Sequence, residues 1–111
     1  MYEFEIYQMD PSSNHCFREL PELLINNNTG KELINKDQLK YNKVYQSELP
    51  NKPNNVSKDE GDKIILEELF RKFNINHPDD YKGRSLSISD IIKLKDRYYI
   101  CQRVGWKKIG D

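Results

Sequence analysis

Apolar and polar positions alternate from the first residues of the chain. Tyr2, Phe4 and Ile6 fall on one side of an extended backbone, with Gln8 continuing the row, and Glu3, Glu5 and Tyr7 fall on the other. A period of two predicts a strand that begins almost at residue 1. Asp10-Pro11-Ser12-Ser13-Asn14 ends it as a loop. The stretch 15–20 is too short to classify. Pro21 suits the first turn of a short helix near 21–26, because the N–H it lacks is one that a helix start leaves unbonded. Leu20, Leu23 and Leu24 would turn inward, and Asn26-Asn27-Asn28-Thr29-Gly30 would stop the helix. Tyr41, Val44, Tyr45 and Leu49 predict a second strand over 41–48, and Pro50-Asn51-Lys52-Pro53-Asn54-Asn55 reads as an exposed connection.

The period then changes. Ile65, Leu66, Leu69, Phe70 and Phe73 recur at helical spacing, which makes one apolar face of a helix over about 58–73. Ser57 and Glu60 have the S-x-x-E spacing of a capping box, and Asp59, Glu60 and Asp62 put negative charge at the positive end of the helix dipole. Glu67/Arg71 and Glu68/Lys72 are i,i+4 pairs on the wet side. Asn74, Asn76 and Pro78 end the helix. After a loop the segment 89–94 turns into a strand with its tip at Lys95-Asp96. A longer strand over 97–104 follows, then Gly105 as a turn and 106–109 as a last short strand. Consecutive antiparallel strands with short links form a meander. The expected class is α+β: a curled antiparallel sheet of about five strands, with one main helix packed across it over a single core.

Composition narrows the picture. The chain of 111 residues is 36% apolar and 32% charged, which fits one small domain spanning 1–111 with a large surface for its volume. Its net charge is zero, so no global field steers it to nucleic acid or an anionic membrane. Residues 1–50 carry five Lys/Arg against eight Asp/Glu, and residues 51–111 carry thirteen against ten, so the C-terminal part is mildly basic. Cys16 and Cys101 lack CxxC or metal-like spacing. MYEFEIYQM has neither the basic nor the apolar region of a signal peptide, and no apolar run is long enough to span a bilayer. The expectation is a cytoplasmic protein with two reduced thiols and no membrane contact.

Three stretches, YNKVYQSEL (41–49), LEELFRKFNINHPDDYKGRSLSISDIIKL (66–94) and YYICQRVGWKKI (98–109), together with the opening EFEIYQM, resemble the YodL-like domain. That family is a small module of Firmicute chromosomes, conjugative elements and phages. The resemblance implies a non-enzymatic accessory protein of a mobile element that binds and inhibits a host factor, in its sharp form an anti-CRISPR or antirestriction protein. The implied partner is a host protein or ribonucleoprotein such as a Cas effector. No catalytic residue, metal or cofactor is implied. The step SISDII into a strand is also similar to small PUA-like and ASCH-like barrels, so an RNA- or single-stranded-DNA-binding module stands as the alternative.

Cys16 beside His15 would point to the opposite side of an extended chain, which leaves the thiol without a base, and Cys101 reads as a small apolar strand residue. His77, Asp79 and Asp80 are too few for a zinc site, and they read as a turn with an aspartate bonded to backbone. Ser85, Ser87 and Ser89 alternate with Leu86 and Ile88, which predicts hydroxyls outward, and Asp90 is expected to bond nearby backbone N–H groups. The candidate partner-binding surface is the C-terminal sheet: Arg84, Lys93, Lys95, Arg97, Arg103, Trp106, Lys107 and Lys108. Cations beside aromatic rings suit either a protein interface or stacked bases. Lysines on exposed strands also serve simply to block mispairing of edges.

Overall fold

The computed structural model describes residues 2–49 and 58–110. Its elements are β1 (Tyr2–Met9), α1 (Glu22–Asn26), α2 (Gly30–Ile34), β2 (Tyr41–Leu49), α3 (Lys58–Ile75), β3 (Ile91–Leu94), β4 (Arg97–Cys101) and β5 (Trp106–Ile109). The strands form one antiparallel sheet in the order β2-β1-β3-β4-β5, an α+β arrangement with α3 as the main helix. β3, β4 and β5 are the expected meander, and β1 inserts between β2 and β3. The Ser57 capping box and the connection 50–55 lie outside the described residues.

The sheet is covered on both faces, where the sequence pattern had suggested a single core under one helix. On one face Phe4, Ile6, Ile92, Leu94 and Tyr99 pack with Ile65, Leu66, Leu69 and Phe73 of α3, and Tyr81 and Leu86 close the side. On the other, Met9, Tyr41, Ile91, Ile100 and Ile109 pack with Leu20, Ile25, Leu33 and Leu39. The period of two explains this. Adjacent residues such as Ile91 and Ile92 are both apolar, so both pleat faces of β3 need cover.

The second cover depends on α2, a helix placed where a stop was expected. Thr29 Oγ1 accepts from Glu32 N–H (3.1 Å), and Glu32 Oε1 accepts from Thr29 N–H (2.8 Å), so T-x-x-E starts a helix. Gly30 lets α2 approach β4, because a Cβ there would lie 2.1 Å from Tyr98 Cγ. In α1 it is Ile25 that turns inward, while Leu23 is 74% exposed. α3 runs two residues past the expected end, to Ile75.

β4 is shorter than the expected 97–104 strand. It stops at Cys101, and residues 102–105 form a hairpin turn with Gln102 N–H bonded to Gly105 O (3.0 Å) and Gly105 at φ +74°. At the entrance to β3, Ser89 N–H donates to Cys101 O (2.8 Å) and Cys101 N–H donates to Asp90 O (2.9 Å), with Ser89 at φ +74°. Two residues thus oppose one, which is a β-bulge with a left-handed first residue.

Candidate partner-binding surface

The expected cations divide into three groups. Arg97 belongs inside the protein and not on its surface. Its Nε donates to Asp62 Oδ2 (2.6 Å) and its Nη2 to Asp62 Oδ1 (2.9 Å), with both side chains buried between β4 and α3. Tyr99 Oη donates to the same carboxylate (2.5 Å). Burial, then the adjacent Asp62 carboxylate, holds the Tyr99 phenol far above its ordinary range. Strand parity is the reason: Arg97, Tyr99 and Cys101 share the face that meets α3.

Arg84 is also largely committed. It pairs with Asp90 (3.3 Å), donates to Met9 O (3.2 Å), and lies over the Phe17 ring at 4.7 Å. Asp90 is the hub here, accepting from Ser87 N–H (2.8 Å) and Gln8 Nε2 (3.0 Å) as well. Burial pushes its carboxyl up to about 6, against the opposing pull of the Ser87 N–H, Arg84 and Gln8. The expected backbone bond of Asp90 is present. The serine hydroxyls differ from expectation: Ser89 Oγ turns in and donates to Arg18 O, and Ser87 Oγ is buried. Ser89 Oγ meets the packed loop 10–20, which the strand-like alternation could not reveal.

Lys93 and Lys95 lie toward the β3–β4 hairpin, at the opposite end of β4 from the 102–105 turn. Lys93 Nζ sits 5.6 Å from the Tyr98 ring centroid, half-buried. Arg103, Trp106, Lys107 and Lys108 all lie on the β4–β5 hairpin, with Trp106 on the α3 side and Lys107 on the α1 side. The Arg103 side chain is 81% exposed, its Nε 3.9 Å from Glu19 Oε1, and Lys107 Nζ donates to Asn26 Oδ1 (3.2 Å). Trp106 is half-buried and meets Phe70 edge-on at 6.3 Å. Beside it Val104, at the turn, is 91% exposed.

Two buried polar clusters escaped the sequence reading. Asp62 stands one helical turn before Ile65 and Leu66, on the apolar side of α3, and a carboxylate in that row is the flag for a buried ion pair. Gln8 extends the Phe4/Ile6 row in the same way.

The two thiols sit in different surroundings. Burial, then Asp90 and Glu67, pushes the Cys101 thiol up to about 11, which keeps it protonated. Cys16 Sγ lies 3.7 Å from Met9 O and 3.6 Å from Arg84 Nη2. His77 contacts Pro78 O and the Tyr81 ring, and Asp80 accepts from Tyr45 Oη (3.0 Å) instead of from backbone. Among the described residues no group of three or more His, Cys, Asp or Glu side chains converges, and no helix is long and apolar enough to cross a membrane.

Comparison with known proteins adds one match. Neither a curated protein nor a solved structure matches the chain. The model of the YodL-like domain matches residues 3–111, essentially the whole length, and the chain therefore belongs to the YodL-like domain family.

Proposed function

We propose that this chain is a non-enzymatic binding protein of a mobile element, acting in the cytoplasm on a host defence protein and inhibiting it. An anti-CRISPR or antirestriction role is the specific form of that reading. One observation supports it above others. The protein's own helices occupy both sheet faces, while Arg103, Trp106, Lys107 and Lys108 lie with Val104 on the terminal hairpin. Arg and Trp are favoured anchors of protein interfaces. A protein partner is preferred to RNA because the net charge is zero, so no overall field draws a polyanion to the chain.

The test is inhibition of plasmid cleavage by a reconstituted Cas nuclease and by a restriction endonuclease, with the purified chain titrated in. Dose-dependent protection is expected, unaffected by prior nuclease treatment of the chain. It should weaken in an Arg103→Glu/Lys107→Glu variant, whose substitutions sit outside both cores. Protection of neither substrate, together with salt-steep binding of labelled RNA, would replace this reading with the nucleic-acid one.

A further inference from the structure

β5 ends the sheet, and among the described residues β4 is its one strand neighbour. Hydrogen bonds at the hairpin fix which backbone groups face outward. Cys101 exchanges bonds with the Ser89–Asp90 bulge, so its N–H and C=O point toward β3, whereas Gln102 N–H points toward Gly105. Backbone direction alternates along a strand. Ile100 and Tyr98 therefore bond to their register partners Lys107 and Ile109. Trp106, opposite Cys101, turns its own N–H and C=O away from β4.

The surface next to that outward backbone is not a featureless edge. Two adjoining hollows of about 180 and 250 Å³ lie between α3 and the hairpin, sharing Glu67, Gly105 and Trp106 and bordered by Phe70 and Val104. Lysines on β5 would by themselves be explained as protection against mispairing. An apolar β-branched residue at the turn, 91% exposed beside a half-buried Trp, is not explained that way. The hairpin 102–109 carries three cations, Arg103, Lys107 and Lys108, and no acidic residue. A second copy of β5 laid along the first would set lysines against lysines. The complementary occupant is an extended segment that alternates acidic and apolar side chains.

We propose that β5 is an acceptor edge for strand addition. An acidic, extended segment of a partner protein pairs with the outward backbone of Trp106 and seats an apolar side chain in the adjoining hollows that Phe70 and Val104 border. Main-chain bonds would supply the affinity and the hollows the selectivity, as in other strand-addition complexes. The inference rests on the protein-partner reading above and gives it a binding mode.

Trp106 is the only tryptophan, so its emission reports docking without a label. The probe is a synthetic peptide alternating Glu with Leu and Val, beside a control with Lys in place of Glu and an oligouridylate. Two variants of the full chain test the mode. One carries an N-methylated Trp106, assembled by ligating a synthetic 101–111 segment to residues 1–100 at Cys101, which keeps every side chain and blocks the outward N–H. The other is Val104→Glu, at a turn that contributes nothing to either core.

The expected result is a saturable emission change with the acidic peptide alone. Each variant should weaken it at least about tenfold, the scale on which a lost bond and a steric or like-charge clash register together. Undiminished binding by the N-methylated chain overturns strand addition while leaving a protein interface of side chains in place. The inhibition assay with Arg103→Glu/Lys107→Glu reads that interface separately. Absence of any saturable change up to about millimolar peptide also overturns the inference. A response confined to the oligouridylate removes both readings together.

Discussion

The buried contact of Asp62 with Arg97 and Tyr99 sets up a perturbation whose size follows from geometry. The carboxylate accepts two guanidinium bonds, at 2.6 and 2.9 Å, and the Tyr99 hydroxyl at 2.5 Å, with Asp62 wholly buried. Asp62→Ala leaves a guanidinium and a phenol inside the fold with their acceptor removed. Arg97 Nη1 keeps a bond to the exposed Asp96 (3.3 Å), which offsets little because Asp96 is solvated. Removing one partner of a buried pair costs about 3–5 kcal/mol. A domain of this size has a total stability of roughly 5–15 kcal/mol, so the single variant is expected to stand near the edge of folding.

The reasoning separates charge from shape through a cycle. Arg97→Met and Asp62→Leu together remove both charges and keep comparable volume, and such replacements are often neutral or stabilising by about 1–4 kcal/mol. Urea denaturation followed by Trp106 emission measures all four corners. The expected pattern is a large loss in each single variant and recovery in the double one. Loss below about 1 kcal/mol in Asp62→Ala, measured beside the cycle in the same assay, would refute the buried pair, because that is the scale of an exposed ion pair. Equal, additive losses would refute the coupling.

Leu69 is buried against the sheet, so Leu69→Ala should lower stability by about 2–5 kcal/mol in the same denaturation assay, and a loss under about 1 kcal/mol would place the α3 face wrongly. Gly30→Ala drives a Cβ into the Tyr98 ring, and a loss of about 1–3 kcal/mol is expected by thermal unfolding. For Asp90, the folded carboxyl lies near 6 and the unfolded one near 3.8, so the folded state binds the proton more tightly and stability rises as pH falls through that window. The stability difference between the natural chain and Asp90→Asn should therefore shift in favour of the natural chain between pH about 7 and 4, and a flat difference would contradict the burial of this group. Ser89 holds a left-handed backbone and donates to Arg18 O, so Ser89→Ala should cost more than Ser89→Gly, since glycine relieves the φ strain that alanine keeps.

Much of the architecture was legible because periodicity reports which backbone form buries an apolar face. The 65–73 repeat placed α3, and the Phe4/Ile6 alternation placed β1, both close to their actual bounds. Short elements were harder to read. α2 is five residues long, too brief for periodicity, and its signal lay in Thr29 and Glu32, inside an Asn-rich run that resembles a loop. α2 is also what covers part of the second sheet face, with Leu33 buried there and Gly30 against Tyr98.

The residues of the candidate surface differ in what the facing helix brings to them. Arg97 and Lys108 are both strand cations, two strands of one hairpin and nearly opposite in register, yet their circumstances diverge because α3 brings Asp62 over the first and leaves the second at the sheet margin. A sequence identifies the charge, and periodicity even identifies the face, but neither says which carboxylate the facing helix will present. That is set by the position of Asp62 on the apolar side of α3, a place where a carboxylate is tolerated because Arg97 and Tyr99 meet it. The same logic explains why the terminal hairpin keeps its surface character. α3 offers Lys63, Glu67 and Phe70 near Trp106, and the Phe70 and Trp106 rings meet nearly at right angles. A cation on this sheet becomes structural where the helix supplies a buried acid beneath it, as Asp62 does for Arg97 and not for the strand beside it.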